Sequence, residues 1–121
     1  MTGFNELMGL RIVGPVEGRF VVELDADERH LHGQGRVHGG VIMALLDTAM
    51  ARAARRDGDA YAPTIELKTS FLRPAGPGRL TARARMVRDG RRLAFAEAEL
   101  HDGQGRCLAT SSATFLRAGS L

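Results

Sequence analysis

The order of apolar and polar residues predicts a β-hairpin near the start of the chain. Residues 10–16 and 19–25 flank a turn at 17–18, and in the second segment apolar residues occupy every other position, as in a strand with one buried face. A short helical turn is expected over residues 4–10. The polar, glycine-containing stretch 26–36 predicts a loop.

The segment from Gly39 to Ala51 is apolar on nearly every side and rich in helix formers. This composition is typical of a helix in a protein interior, so we expect a long, fully buried central helix. Basic residues at Arg55 and Arg56, followed by Gly58, indicate where the helix ends.

Four more strands are predicted after the helix, at residues 64–72, 80–88, 93–101 and 107–116. Glycine-rich turns separate them, which indicates antiparallel hairpins. A curved antiparallel sheet wrapped around one helix satisfies this order, and the fold class is α+β. The length of 121 residues indicates a single domain, residues 1–121.

Charge alternation in two neighbouring strands predicts their register. Arg83 and Arg85 alternate with alanines, as acidic residues do in the next strand. We expect Arg83 to face Glu97, with Arg85 close by. The connecting loop then has three residues, 89–91, with Gly90 in a left-handed conformation.

The chain carries a net charge of +3, and its positively charged residues are almost all arginine. An anionic partner is one explanation, and an arginine-rich composition with solvated strand faces is another. The arginines are spread along the chain and aromatic residues make up only 5%, which argues against a nucleic-acid surface.

Cysteine content and hydropathy favour a cytoplasmic protein. Cys107 is the only cysteine, so no disulfide forms within the chain, and we expect it to be a small buried hydrophobic residue. We find no signal-peptide pattern at the N-terminus and no apolar run long enough to cross a membrane.

Asp47 lies in the middle of the predicted helix, where an unpaired carboxylate is costly. It either satisfies a structural hydrogen bond or is poised to activate water or attack a carbonyl carbon. At the start of the same helix, Gly39 and Gly40 either form a tight turn or offer a backbone N–H to a developing oxyanion.

The spacing of these residues predicts a dimer. Asp47 is eight residues beyond Gly39, or about 12 Å along a helix axis. One carbonyl group cannot contact both within a single chain. A two-fold dimer with antiparallel helices brings the start of one helix to the middle of the other.

Four segments resemble a known family: His38-Gly39-Gly40, Asp47-Thr48-Ala49, the Phe-Leu-Arg-Pro-Ala run at 71–75 and the Arg-Leu-Ala-Phe-Ala run at 92–96. In order and over nearly the whole chain, they are similar to hotdog-fold acyl-CoA thioesterases of the phenylacetyl-CoA type. The resemblance implies a hotdog fold, hydrolysis of an acyl-CoA without a cofactor or metal, and a homodimer that commonly pairs into a dimer of dimers.

The resemblance also implies roles for individual residues. Asp47 corresponds to the general base or nucleophile, and Gly39 to the amide that binds the thioester oxygen from the opposite subunit. His38 shapes the site and Thr64 helps to place the water. His32 stands where the family usually has Asn, and a larger, titratable imidazole there is expected to alter substrate orientation and the pH profile.

Further substrate contacts are expected from Gly40 and Thr48, and from arginines at loops or strand ends where the CoA nucleotide could dock. These arginines are Arg73, Arg91, Arg92 and Arg117. Solvated arginines are the alternative explanation for each of them.

Other site classes have weaker support. His30, His32 and His38 could suggest a metal site. However, His30 and His32 lie on a polar loop and no third ligand follows at a convincing spacing, so surface or site-lining roles are expected. Cys107 has no histidine beside it in sequence, which argues against a cysteine nucleophile. A non-catalytic acyl-CoA-binding module on the same fold is the main alternative. A hydratase would require an Asp–His pair in a different local pattern.

Overall fold

The computed structural model describes residues 3–56 and 62–117. In chain order its helices and strands are α1 (Phe4–Met8), β1 (Arg11–Val16), β2 (Arg19–Ala26), a 3-10 turn (Glu28–His30), α2 (Gly39–Ala54), β3 (Thr64–Phe71), β4 (Gly78–Asp89), β5 (Leu93–Asp102) and β6 (Cys107–Leu116). The predicted order of two strands, a long helix and four strands is confirmed.

The six strands form one antiparallel sheet in the order β1-β2-β4-β5-β6-β3. Helix α2 packs against β4, β5 and β2 on one face of this sheet. The architecture is therefore α+β, as predicted. No helix within the described ranges is long and apolar enough to cross a membrane.

Small side chains on the inner face of the sheet allow α2 to pack closely against it. Buried alanines occupy alternate positions in the central strands: Ala82, Ala84, Ala94, Ala96, Ala98, Ala109 and Ala113. Larger side chains from the helix, among them Leu45, Leu46 and Met50, are fully buried against this surface. The core is thus built from large helix residues and small sheet residues.

The expectation of a fully buried helix is wrong. One stripe of α2 is partly exposed, and it consists of Gly40, Met43, Ala44, Asp47, Thr48 and Ala51. A single sheet covers only one side of a helix, so the opposite side faces outward even though its residues are small or apolar. The helix ends at Ala54, and the predicted glycine stop at Gly58 lies outside the described residues.

The predicted β4–β5 register is wrong by two residues. Arg85 lies opposite Glu97 and donates a hydrogen bond to its carboxylate, whereas Arg83 lies opposite Glu99. A bulge between Met86 and Arg88 absorbs one extra residue of β4. The alternation of charged residues with alanines predicts which face of each strand is buried, but it does not predict a bulge.

The β4–β5 loop comprises residues 90–92, and Gly90 does not have the predicted left-handed conformation. A Cβ atom at Gly90 would lie only 2.4 Å from the carbonyl oxygen of Leu93. Glycine is therefore required by the close approach of two backbone segments rather than by a positive φ.

Strand β3 forms one outer edge of the sheet, and two of its large apolar side chains are exposed. Ile65 is 54% and Phe71 51% accessible. An open edge with apolar side chains is a surface on which another strand can pair.

Candidate active site

The side chain of His38 caps the start of α2. Its Nδ1 atom accepts a hydrogen bond of 2.8 Å from the Gly40 N–H, and its carbonyl oxygen accepts bonds from Val41 and Ile42. Because the Gly40 amide is engaged, it is not available to an oxyanion. Among the described residues no partner takes the Gly39 N–H, which leaves Gly39 as the glycine that can offer its amide to a ligand.

The backbone of Gly39 lies beside the aromatic ring of Phe71. A Cβ atom at Gly39 would be 3.4 Å from Cζ of Phe71, at the close end of van der Waals contact. A larger side chain at residue 39 would press against the ring and cover the amide. Glycine keeps this backbone accessible next to an aromatic wall.

A cleft of about 520 Å³ opens at this point. It brings together three predicted site residues, His32, Gly39 and Arg73, with Phe71 and Ile42 as apolar walls. Sequence reasoning assigned no role to Phe71, although it stands in one of the recognised segments. The feature of the sequence that could have indicated a role for Phe71 is a large aromatic residue at the end of a strand.

The loop conformation fixes the backbone of His32 and leaves its ring exposed. Its N–H donates to the carbonyl oxygen of Arg36 at 2.8 Å, and Nδ1 accepts from the Gln34 N–H at 3.0 Å. The neutral ring therefore carries its proton on Nε2, the nitrogen that does not serve the loop.

The Asp47 side chain lies on the exposed stripe of α2 and is half-buried. The hydroxyl of Thr64, the first residue of β3, donates a hydrogen bond of 2.8 Å to its Oδ1 atom. No arginine, lysine or histidine of the described chain forms an ion pair with Asp47. The result is a carboxylate that is oriented by the Thr64 hydroxyl and is not paired with a cationic side chain of the described residues.

The two candidate groups occupy different places in one chain. Asp47 and Thr64 are not among the residues that line the Gly39 cleft. Gly39 is the first residue of α2 and Asp47 lies eight residues later in the same helix, about 12 Å along its axis. Within one subunit, the two groups are therefore too far apart to contact the same carbonyl group.

The predicted arginines separate into three environments. Arg73 lines the Gly39 cleft, whereas Arg91 and Arg92 are exposed in the β4–β5 loop, near the far end of α2. Arg117 is only 3% accessible and binds the carbonyl oxygens of Ala54 and Gly90, so the suggested nucleotide contact is wrong for Arg117. Its guanidinium instead closes the C-terminal end of the helix.

Two further expectations need correction. His30 is buried rather than exposed or site-lining, because Nε2 bonds to the Met8 carbonyl oxygen at 2.7 Å and Nδ1 accepts from the Asp27 N–H at 3.0 Å. Cys107 is half-buried rather than fully buried. Within residues 3–56 and 62–117, no group of three or more His, Cys, Asp or Glu side chains could hold a metal ion.

Comparison with known proteins gives a consistent family. The sequence profile of the thioesterase superfamily matches residues 34–109. A Saccharolobus solfataricus protein that is provisionally assigned as an esterase is 31% identical over 102 residues, which cover 84% of this chain and 73% of that protein.

Two relatives have more specific names. The medium/long-chain acyl-CoA thioesterase YigI of Escherichia coli is 30% identical over 98 residues, covering 69% of this chain and 63% of that protein. The PaaI protein from the phenylacetic acid degradation operon of E. coli has a similar structure, with a TM-score of 0.87 and 30% identity. The match covers 95% of this chain and 83% of that one.

Proposed function

Because this chain belongs to the thioesterase superfamily, we propose that it hydrolyses acyl-CoA thioesters to a free acid and CoA, with Asp47 as its catalytic carboxylate. The hydrogen bond from Thr64 to Asp47 carries this proposal. It orients one carboxylate oxygen in a half-buried position. No cationic side chain among residues 3–56 and 62–117 forms an ion pair with Asp47. A purely structural carboxylate would more often be paired with an arginine or with backbone N–H groups.

The complete site forms between two subunits. In a two-fold dimer with antiparallel α2 helices, the partner subunit's Gly39 lies opposite Asp47, and the arrangement occurs twice. The exposed stripe of α2 and the open edge of β3 supply the surfaces for such a dimer. The resemblance to thioesterases of the phenylacetyl-CoA type further implies that two dimers associate into a tetramer.

The reaction begins with polarisation of the thioester. Its carbonyl oxygen accepts a hydrogen bond from the partner's Gly39 N–H, at the positive end of the helix dipole. His38 keeps the Gly40 amide engaged and holds this first turn in place. Charge that develops on the oxygen in the tetrahedral transition state strengthens this contact.

Asp47 then supplies the second group. As a general base it takes a proton from a water molecule, whose oxygen attacks the carbonyl carbon. As a nucleophile it attacks directly to form a mixed anhydride, which water hydrolyses in a second step. In both routes the C–S bond breaks and CoA leaves as a thiolate, so a strong general acid is not required. Thr64 orients Asp47 and the water.

Contacts to the rest of the substrate come from the Gly39 cleft and from the exposed stripe of the helix. His32, Phe71 and Arg73 line the cleft, and Gly40 and Thr48 lie on the stripe. Arg91 and Arg92 lie near the opposite end of α2, so they contribute across the subunit interface. The acyl group is an aryl-acetyl, a hydroxybenzoyl or a short- or medium-chain fatty acyl group, and the reaction takes place in the cytoplasm.

Thiol release from a panel of aryl- and fatty acyl-CoAs tests the proposal. We expect Asp47→Asn to lower kcat by about 100-fold or more and to leave the fold intact, because the residue is half-buried and Asn is of equal size. Glu99→Gln, which neutralises an exposed carboxylate on the outer face of the sheet, is the matched control. An Asp47→Asn variant with unimpaired turnover would make Asp47 structural. A wild-type protein that hydrolyses no substrate of the panel would favour an acyl-CoA-binding module.

A further inference from the structure

The Gly39 cleft adjoins a second, basic cleft. The second cleft has a volume of about 710 Å³ and is lined by residues of the loops after β3 and β5. Arg36, Arg73 and Pro74 line both clefts. Gly39 and Phe71 therefore line the same cleft as Arg36 and Arg73, and the two arginines stand at the border with the second cleft.

The arginines that line the two clefts differ in how their charges are compensated. Arg79 is paired with Asp25 and Glu23. Arg106 is paired with Asp102, at 2.8 Å between Nε and Oδ2. The charges of these two arginines are thus already balanced within the chain.

Arg36 and Arg73 differ from these neighbours. Both side chains are exposed, and neither has a carboxylate or hydrogen-bond partner among residues 3–56 and 62–117. Two uncompensated guanidinium groups thus stand where the two clefts meet. Guanidinium groups suit phosphate oxygens because they form bidentate, charge-assisted hydrogen bonds.

We infer that Arg36 and Arg73 form the subsite that binds the nucleotide phosphates of the CoA substrate. The thioester then lies at Gly39 and the pantetheine chain runs past Phe71 and Pro74 toward the two arginines. This inference rests on the proposed acyl-CoA hydrolysis and adds a direction for the substrate and a basis for its recognition. Arg36, which the sequence patterns did not single out, becomes a specificity-determining residue.

Kinetics with truncated substrates test the subsite. We expect Arg36→Ala and Arg73→Ala each to raise KM for an acyl-CoA about tenfold while kcat changes little. KM for the same acyl group on pantetheine, which lacks the nucleotide, should not change. Arg83→Ala, which removes an exposed arginine from the outer face of the sheet, is the control and should leave both substrates unaffected. The backbone bond from His32 to the carbonyl oxygen of Arg36 is retained in the variant.

Calorimetric binding of CoA, dephospho-CoA and pantetheine gives a readout that does not require turnover. We expect CoA to bind at least about tenfold more tightly than pantetheine and to lose this advantage in both variants. Dephospho-CoA separates the 3′-phosphate contribution from that of the diphosphate. Equal affinity for CoA and pantetheine would overturn the subsite, even in an active thioesterase. Inorganic pyrophosphate binding as tightly as CoA would indicate a free-anion site and overturn it too.

An inactive wild-type protein would contradict the proposed function, and the binding series would then decide the subsite separately. Arginine-dependent CoA binding without turnover supports the subsite in a binding module. Turnover with the same KM in the wild type and in both arginine variants would support the thioesterase activity and contradict the subsite.

Discussion

Thr64 at the first position of β3 donates its hydroxyl hydrogen to Oδ1 of Asp47 in the middle of α2, at 2.8 Å. This bond joins the edge strand to the helix at the only acidic residue of α2. Oδ2 of the carboxylate has no hydrogen-bond partner in the part of the chain that the structure describes, so it can meet a water molecule or a carbonyl carbon. The position of β3 relative to α2 therefore determines how the carboxylate of Asp47, the proposed catalytic group, is oriented.

Removal of the Thr64 hydroxyl should reduce turnover without unfolding the protein. Val has nearly the same shape as Thr but cannot donate the bond, so we expect Thr64→Val to lower kcat about tenfold with a smaller change in KM. Thr64→Ser retains the donor and should keep most of the activity. Steady-state thiol release, together with thermal unfolding of each variant, provides the measurement. Equal losses in the Val and Ser variants would mean that packing, not the hydroxyl, matters at Thr64.

The cap at His38 predicts a difference between two substitutions. His38→Ala removes the acceptor for the Gly40 N–H and should lower the free energy of unfolding by about 1 kcal/mol. His38→Asn supplies a side-chain oxygen at the same helix position and should retain most of that stability. Urea denaturation of both variants measures the effect. The capping role would be contradicted by an Asn variant no more stable than the Ala variant.

An exposed carboxylate between β1 and β4 predicts a pH effect on stability. Hydrogen bonds from Arg79 and then Arg11 hold the pKa of Asp25 below its ordinary value. A lowered pKa in the folded state means that the stabilisation is present above about pH 4 and is lost as pH falls through the lower, folded pKa. The contribution is small because the groups are exposed.

Asp25→Asn removes this pH-dependent contribution. We expect the difference in free energy of unfolding between wild type and Asp25→Asn to be constant near neutral pH and to shrink below about pH 4. Urea denaturation at stepped pH values measures this difference, and an NMR titration of Asp25 reports its pKa directly. A difference that stays the same down to pH 2 would contradict the role of Asp25.

Much of the fold was accessible from the sequence because the inner strands β2, β4, β5 and β6 have one buried face, on which apolar residues recur. The same pattern carries no information about bulges, so the Arg83 and Arg85 pairings were predicted two residues out of register. Uniform apolar composition identified α2 as a core helix. It also concealed the exposed stripe, because a surface suited to a second subunit has the same composition as a buried one.

The candidate site was predictable to the level of segments but not of individual contacts. The helix start and Asp47 stand out in the sequence because glycines and a lone carboxylate are unusual in an apolar helix. Whether Gly39 or Gly40 can offer its amide depends on the His38 rotamer. The burial of Arg117 depends on the close approach of three backbone segments. These are properties of the packed chain and have no local sequence signal.

The central claim is that each active site combines Asp47 of one subunit with Gly39 of the other, and subunit complementation tests it most directly. Gly39→Pro removes the amide N–H at the first helical position, where proline is well tolerated. Gly39→Ala retains the N–H and controls for added bulk. We expect Asp47→Asn and Gly39→Pro homodimers each to be nearly inactive, and Gly39→Ala to remain more active than Gly39→Pro.

Equal amounts of the two inactive variants are then dissociated, mixed and reassociated. Half of the dimers are mixed, and each mixed dimer has one site with both groups intact. The account therefore predicts recovery of about a quarter of wild-type activity. If Asp47 and Gly39 acted within the same subunit, every site would still carry a defect. A mixture that forms mixed dimers but stays inactive would contradict the shared site.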